Sequence, residues 1–217
     1  MRSVLEFPWA YNLMQVLSGW HGGGQRRFIS KVLRPSPGDR VLDVGCGTGA
    51  VLARLRDVDY TGMDMNERYI AHARRTHGKA GRFLCANVYD FDFSTERKFD
   101  LILMLGLLHH LNDAGASRLL AQARALLDQK GRLVTLDACR TEGQTRFERW
   151  LVDMDRGQYV RPVDGYLEMA GSVFPGVTSY FCTDLLTYPY THFVMECSLS
   201  EAEPVGQDSA VAVPEAG

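Results

Sequence analysis

The run FDLILML, Phe99–Leu105, is apolar at every position except Asp100. A strand with apolar side chains on both of its faces has to be covered on both sides, as the central strands of parallel sheets are. Around this run the other predicted strands are 40–44, 59–63, 82–86 and 132–138, and the predicted helices are 50–56, 67–77 and 114–127. This alternation of strands and helices indicates an α/β fold with a parallel sheet and helices on both of its faces.

The pattern changes after residue 140. Helices are predicted at 145–155 and 164–172, and two further strands follow at 178–186 and 191–198. The link between these two strands is too short to hold a crossover helix, but it permits an antiparallel hairpin. The sequence therefore predicts that the sheet ends in an antiparallel pair.

The two ends of the chain differ in composition. Residues 1–37 are predicted to be an N-terminal helical segment, with helices near 11–17 and 25–33 on either side of the glycines at 22–24. Residues 201–217 contain Pro, Ala, Gly, Val and acidic residues without a period, so we expect a disordered tail. We therefore predict a single domain over residues 1–200.

Charge and cysteine content argue against several classes of function. The 217 residues have a formal net charge of −2, which gives no support for general binding to nucleic acid or to a membrane surface. The five cysteines include no CxxC pair, so no metal site is predicted, and reduced thiols in a cytoplasmic protein are the simplest account. No stretch approaches the roughly 18 consecutive apolar residues that a membrane span requires.

The segment VLDVGCGTGA, residues 41–50, places a glycine-rich turn between a predicted strand and a predicted helix. Its spacing fits the G-x-G-x-x-G/A fingerprint of dinucleotide sites, which alone is a weak signal. Asp64 closes the second predicted strand 19 residues after Gly45, where a carboxylate can accept both hydroxyls of a ribose. Asn87 follows the third strand and offers an amide to a base. Together these three strand ends predict an adenosine pocket.

Four segments of the sequence, taken in their order along the chain, extend this interpretation. They are VLDVGCGTG at 41–49, GMDMN at 62–66, CANVYDF at 85–91 and FDLILMLGLLHHL at 99–111, and the match runs over about half of the chain. In this order they resemble the class I S-adenosylmethionine-dependent methyltransferases. Asp43, two residues before the first glycine, is typical of that family, whereas dinucleotide enzymes usually have an apolar residue there.

That resemblance implies a Rossmann-like, doubly wound sheet of seven strands, mostly parallel, with an antiparallel strand near the C-terminus. It also implies a cofactor, S-adenosylmethionine, that is converted to S-adenosylhomocysteine. The Gly45 carbonyl would take the ammonium of its methionine part, Asp43 would reach that ammonium through water, and Asp64 would hold the ribose. The other implied contacts come from the loop residues Cys46, Gly47 and Gly49, from Met65, Asn87 and Val88 around the adenine, from Leu105 and Gly106 near the sulfonium, and from Tyr11 in the N-terminal helix. Turn formation or helix capping is the alternative for Asp43 and Asn87.

Methyl transfer from a sulfonium is an in-line displacement, so the protein has mainly to align the acceptor and exclude water from it. A general base is needed only when the acceptor carries a proton. His109 and His110, at the carboxyl end of the fourth strand, are the candidates for that role. The alternative is that one of them simply packs, or caps the helix that follows.

The acceptor is expected to contact residues 140–175, which the resemblance makes the cap over the acceptor side. Polar and aromatic candidates there and in the last hairpin are Arg156, Tyr159, Arg161, Tyr166, Tyr190 and His192. A pair of arginines fits a carboxylate or phosphate on the acceptor, and surface salt bridges to neighbouring aspartates are the alternative. No segment reads NPPY or DPPY, so a small-molecule oxygen or nitrogen acceptor is favoured over a nucleic acid.

Two other functions remain open on the sequence. One is a non-catalytic subunit that binds S-adenosylmethionine. This alternative is disfavoured because the motif residues are all present. The other is a nicotinamide-dependent oxidoreductase, supported only by the glycine spacing. Neither the acceptor nor the oligomeric state can be predicted from the residues.

Overall fold

The computed structural model describes residues 23–94, 96–154 and 157–201. The strands are β1 Arg40–Val44, β2 Asp59–Asp64, β3 Arg82–Cys85, β4 Phe99–Leu105, β5 Leu127–Ala138, β6 Gly176–Cys182 and β7 His192–Ser198. They form one seven-stranded sheet in the order β3-β2-β1-β4-β5-β7-β6. β7 runs antiparallel to both β5 and β6, and the other neighbouring strands are parallel. The predicted fold class is confirmed, including the antiparallel C-terminal strand.

The helices of the described residues are α1 Gln25–Phe28, α2 Glu67–His77, α3 Asp113–Leu126, α4 Arg146–Met154 and α5 Val163–Gly171. α1 continues directly into a π-helical turn, Ile29–Leu33. Asparagines begin the two long helices, because Asn66 Oδ1 accepts from the backbone of Arg68 and Tyr69, and Asn112 Oδ1 accepts from Gly115. The predicted helix near 11–17 and nearly all of the predicted tail lie outside the described residues.

The sheet is covered on both faces, as the apolar run of β4 predicts. Ile102 and Met104 join a core on one face, while Leu101 and Leu103 join a second core on the other. The register of β4 against β1 and β5 brings the carboxyl ends of these central strands to the same edge. Polar side chains that follow the strands are therefore collected at that edge. Among the described residues, no helix has the length and apolar content to cross a membrane.

Three predicted elements differ in the structure, and one is β5, which was expected at 132–138 but begins at Leu127. The helix expected at 50–56 is only a 3₁₀ turn, Leu52–Arg54, and Leu52 and the following residue Leu55 are both buried. A turn with three residues per repeat places residues i and i+3 on one side, which suits this pair. The strand expected at 178–186 ends at Cys182, because Leu185 leaves the sheet and packs into the core below α1.

Candidate functional site

The glycine loop is held against the end of β2 by its own backbone. The amides of Gly45 and Cys46 both donate to the Met63 carbonyl, at 2.8 and 3.0 Å. Gly45, Gly47 and Gly49 all have positive φ, at 77°, 55° and 74°. A Cβ on Gly49 would lie 2.8 Å from the Phe83 ring, so this position needs glycine for space as well as for conformation.

Gly49→Ala is expected to destabilise the fold by about 2–4 kcal/mol, the sum of left-handed strain and overpacking against Phe83. Gly38→Ala is the matched control, because Gly38 also has a positive φ of 89° but nothing within 4 Å of the added Cβ. The control should lose only the conformational part, about 1 kcal/mol. Urea unfolding of both variants measures the difference, and equal losses would contradict the predicted clash.

Asp64 ties the glycine loop to the end of β2. Its Oδ2 accepts from the Gly47 amide at 2.9 Å, and its Oδ1 accepts from the Asn66 amide at 2.7 Å. Burial raises the pKa of this carboxyl, and these backbone hydrogen bonds lower it. The carboxylate therefore stands at the second strand end, as predicted, in a polar setting that holds its orientation.

Asp43 lies deeper, on β1, and is 3% exposed. Its Oδ2 accepts from the Tyr60 hydroxyl at 2.6 Å, so its partner is a side chain of β2 rather than a helix or turn backbone. The pKa of Asp43 is raised to about 7, mainly by burial and in smaller part by the neighbouring Asp64, while the Tyr60 hydrogen bond opposes the rise. A buried carboxylate of this kind is stabilised by a cationic ligand.

The third and fourth strand ends complete this edge. Asn87 Oδ1 accepts from the Tyr89 amide at 3.1 Å, so Asn87 forms the turn that was its alternative interpretation. The Val88 carbonyl accepts from Gln122 of α3 at 2.8 Å. Met65 is 72% exposed, which leaves an apolar surface beside Asp64. Gly106, just after Leu105 of β4, has a φ of 73° and donates to the Leu136 carbonyl at 2.7 Å.

His109 is buried at the same edge, in a 3₁₀ turn, Leu108–His110. Its Nδ1 lies 2.8 Å from Oδ1 of Asp137 on β5, and its backbone amide donates to the same oxygen at 3.2 Å. Its Cε1 is 3.8 Å from the position of a Cβ on Gly106. His110 is exposed, with its ring centroid 4.3 Å from that of His109. The predicted pair of histidines thus divides into one buried, carboxylate-bonded ring and one at the surface.

Sequence reasoning missed Asp137. The available signal was an acid near the end of the apolar strand RLVTLDA, at a strand end where the chain otherwise has buried apolar residues. Its distance of 28 residues from His109 concealed the pairing.

A short segment, residues 157–161, lies over the turn that carries His109. The Tyr159 amide donates to the His109 carbonyl at 3.0 Å. The Arg161 guanidinium donates to the Leu108 and Leu111 carbonyls at 3.0 and 2.7 Å, and to Asp113 at 2.9 Å. A Cβ on Gly157 would lie 2.2 Å from Cδ2 of His109, so only glycine permits this approach. The predicted contact of Arg161 with an acidic acceptor is replaced by these internal contacts.

The other residues predicted to contact the acceptor differ in burial and in their neighbours. Tyr166 is fully buried and donates to the Ala138 carbonyl at 2.9 Å, so it joins α5 to the end of β5 rather than facing an acceptor. Tyr190 is buried beside His192, with ring centroids 4.8 Å apart. Tyr159 is exposed. Arg156 and Tyr11 lie outside the described residues.

The exposed face of α4 is apolar. Phe147, Trp150 and Met154 are each about half exposed, and the first two rings stack with centroids 5.9 Å apart. Their spacing puts them on one side of the helix. α4 ends at Met154, three residues before Gly157 in the sequence.

None of the five cysteines forms a disulfide. Within 23–94, 96–154 and 157–201, no group of three or more His, Cys, Asp or Glu side chains is arranged to hold a metal ion. The polar chemistry of the described edge therefore consists of carboxylates, backbone groups and the buried imidazole.

The chain is similar to known methyltransferases in sequence and in fold. Residues 41–131 match the model of a family described as a methyltransferase domain. An O-methyltransferase of Pyrenophora dematioidea is 33% identical over 120 residues, which cover 51% of this chain and 43% of that protein. The chain thus spans less than half the length of this curated relative.

Solved structures share the fold at low identity. Magnesium protoporphyrin IX methyltransferase from Synechocystis PCC 6803, with bound S-adenosylhomocysteine, is 20% identical, with a TM-score of 0.61 over 82% of this chain and 84% of that one. The plantazolicin methyltransferase BamL, solved with a triazolic desmethylPZN analog and S-adenosylhomocysteine, is 16% identical, with a TM-score of 0.64 over 88% and 89% of the two chains.

Proposed function

We propose that this chain, whose residues 41–131 match the methyltransferase-domain family model, is a class I S-adenosylmethionine-dependent methyltransferase that methylates an oxygen or nitrogen atom of a small-molecule acceptor. The observation that carries the proposal is the joint placement of the glycine loop, Asp43 and Asp64 at one edge of the sheet. Relatives whose names state O-methyl transfer support oxygen as the acceptor atom.

The residues at this edge suit the cofactor chemically. The buried Asp43 offers a negative charge for an ammonium, Asp64 offers two oxygens for ribose hydroxyls, and Met65 offers exposed apolar surface for a base. The positive φ values of the loop bring backbone rather than side chains to this edge. When bound, S-adenosylmethionine supplies an activated methyl group, so the chain has to bind, orient and shield the two reactants.

On the acceptor side we propose residues 140–175 as the cap, with Tyr159 and the exposed face of α4 available to the acceptor. Phe147, Trp150 and Met154 are costly to leave in water, and their grouping supports an acceptor with an apolar body. Arg161 serves to hold the cap in place. We also propose a cytoplasmic location, supported by the five cysteines without a disulfide.

Asp64→Ala tests the cofactor site. The variant is expected to weaken S-adenosylhomocysteine binding by about 1.5–3 kcal/mol, roughly 10- to 150-fold, because the ribose loses hydrogen bonds to a charged group. Isothermal titration calorimetry measures the change. Asp128→Ala, an exposed aspartate at the start of β5 and at the opposite edge of the sheet, is the matched control and should bind as the wild type does.

The same titrations decide between the alternatives. Wild-type affinity for NAD without affinity for S-adenosylhomocysteine would reject the methyltransferase assignment. Binding alone leaves the non-catalytic subunit, so turnover is measured as S-adenosylhomocysteine release against a panel of apolar phenols, carboxylic acids and amines. Release with a hydroxylated member of the panel is the expected result.

A further inference from the structure

We propose that Asp137 is the positioning residue of a general base, His109, which serves hydroxyl-bearing acceptors. The inference rests on the proposed function for the identity of the methyl donor. Its structural basis is the hydrogen-bonded pair of His109 and Asp137 at the carboxyl ends of β4 and β5.

Among the described residues, the carboxylate of Asp137 forms hydrogen bonds to His109 alone. Oδ1 receives both the backbone amide and Nδ1 of His109, whereas Oδ2 is buried without a hydrogen-bond partner among the described residues. Asp137 is 1% exposed. Burying a carboxylate is costly unless it is paired, so a carboxylate that serves only to stabilise a strand end is expected to have both oxygens satisfied. The arrangement instead holds His109 by two contacts, one to its ring and one to its main-chain amide.

These contacts set the tautomer of the ring. An ionised carboxylate can only accept hydrogen bonds, so the proton of neutral His109 resides on Nδ1, and Nε2 is the nitrogen with proton-accepting capacity. The 3.8 Å separation between Cε1 and the Gly106 Cβ position directs that side of the ring towards the end of β4. The 157–161 segment covers the ring from the other side through Gly157.

The chemistry balances without a further reactant. As the acceptor oxygen forms its bond to the methyl carbon, the carbon–sulfur bond breaks, and its electron pair goes to sulfur. The hydroxyl proton goes to Nε2 of His109, and the carboxylate of Asp137 stabilises the imidazolium that results. The proton then leaves to solvent, which restores the base.

The other titratable or charged groups around the pair are His110, Arg161, Cys139 and Tyr166. The His110 ring is next to that of His109, and the Arg161 guanidinium is held on the Leu108 carbonyl. Burial, and then the negative charge of Asp137, raise the pKa of the Cys139 thiol to about 12 and raise that of the Tyr166 phenol as well. Asp137 is thus the acidic side chain among these neighbours that can stabilise a cationic ring.

The test begins with the ligand-free wild type. Nitrogen-15 NMR of the imidazoles is expected to show neutral His109 as the Nδ1–H tautomer, and in Asp137→Asn the pH midpoint of its titration should fall. Thr135→Val is the matched control, since Thr135 lies two residues earlier on the same strand, is fully buried and has a hydroxyl without a hydrogen-bond partner in the described residues. The control should keep the wild-type titration.

Calorimetry and turnover complete the experiment. Asp137→Asn should bind S-adenosylhomocysteine within about threefold of wild type, while kcat on the best phenol of the panel falls about 10²- to 10⁴-fold with little change in KM. An Nε2–H tautomer in the wild type overturns the inference even if the variant fails to fold, and so does an unchanged titration in Asp137→Asn. Absence of S-adenosylhomocysteine binding by the wild type would instead reject the proposed function.

Discussion

Asp43→Asn is expected to lower the affinity for S-adenosylhomocysteine about 10- to 100-fold at pH 8, because an amide cannot compensate the ammonium charge that the cofactor brings. In the wild type the affinity should also fall about tenfold for each pH unit below about 7, since burial raises the pKa of Asp43 to that value. A proton on Asp43 then competes with the ammonium. The variant should lose this pH dependence, as calorimetry at pH 6 and pH 8 will measure.

For the same carboxyl group, the stability of the ligand-free fold is expected to change with pH in the opposite direction to the cofactor affinity. Its pKa of about 7 in the folded protein exceeds the ordinary value of 3.8, so the folded state holds the proton more tightly than the unfolded chain does. The resulting stabilisation is complete below about pH 3.8 and is lost as the pH rises towards 7. Without ligand, Asp43→Asn should therefore lose less thermal stability between pH 5 and pH 8 than the wild type.

Tyr60→Phe serves as the matched variant for Asp43. Removing the hydroxyl takes away the hydrogen bond that lowers the pKa of Asp43. The pH below which binding weakens should consequently move upward. Identical pH profiles for wild type, Asp43→Asn and Tyr60→Phe would contradict a role of Asp43 in cofactor binding.

His109→Gln is expected to reduce kcat on a phenolic acceptor about 10²- to 10⁴-fold, because glutamine can occupy the space and bond to Asp137 but cannot take a proton. S-adenosylhomocysteine binding should stay within about threefold of the wild type, which separates a chemical defect from a lost cofactor site. His110→Gln should cause a smaller loss, since His110 is exposed and His109 has the carboxylate partner. A larger loss at His110 would transfer the role to that residue.

The residues near the cofactor edge could be predicted because they follow local patterns. Strand and helix periodicity placed Phe99–Leu105 and Glu67–His77 at their observed bounds. Parallel strands then bring Asp43, Asp64 and Gly106 to one edge whatever the details of the loops. Sequence periodicity does not predict the 3₁₀ turn after Gly49, because the form of this turn depends on how Leu52 and Leu55 pack into the core.

The acceptor side depends on contacts between residues far apart in the sequence. Arginine is a residue type that often binds anions, yet the guanidinium of Arg161 donates to main-chain carbonyls some 50 residues earlier in the sequence. Asp137 meets His109 only because β5 pairs with β4, so that the ends of the two strands lie side by side. Whether a polar side chain points into a site or braces the protein is decided by such packing, and a single sequence does not contain it.

The hydrogen bonds from residues 157–161 to the turn of His109 have a consequence for redesigning selectivity. Because Tyr159 and Arg161 donate to the main-chain carbonyls of Leu108, His109 and Leu111, exchanging this stretch would disturb the position of His109, the proposed proton acceptor. Phe147, Trp150 and Met154 are each about half exposed, and in the described part of the chain their side chains form no hydrogen bond to that turn. Mutant libraries aimed at new acceptors are therefore best confined to Phe147, Trp150 and Met154, so that the hydrogen bonds of residues 157–161 stay intact.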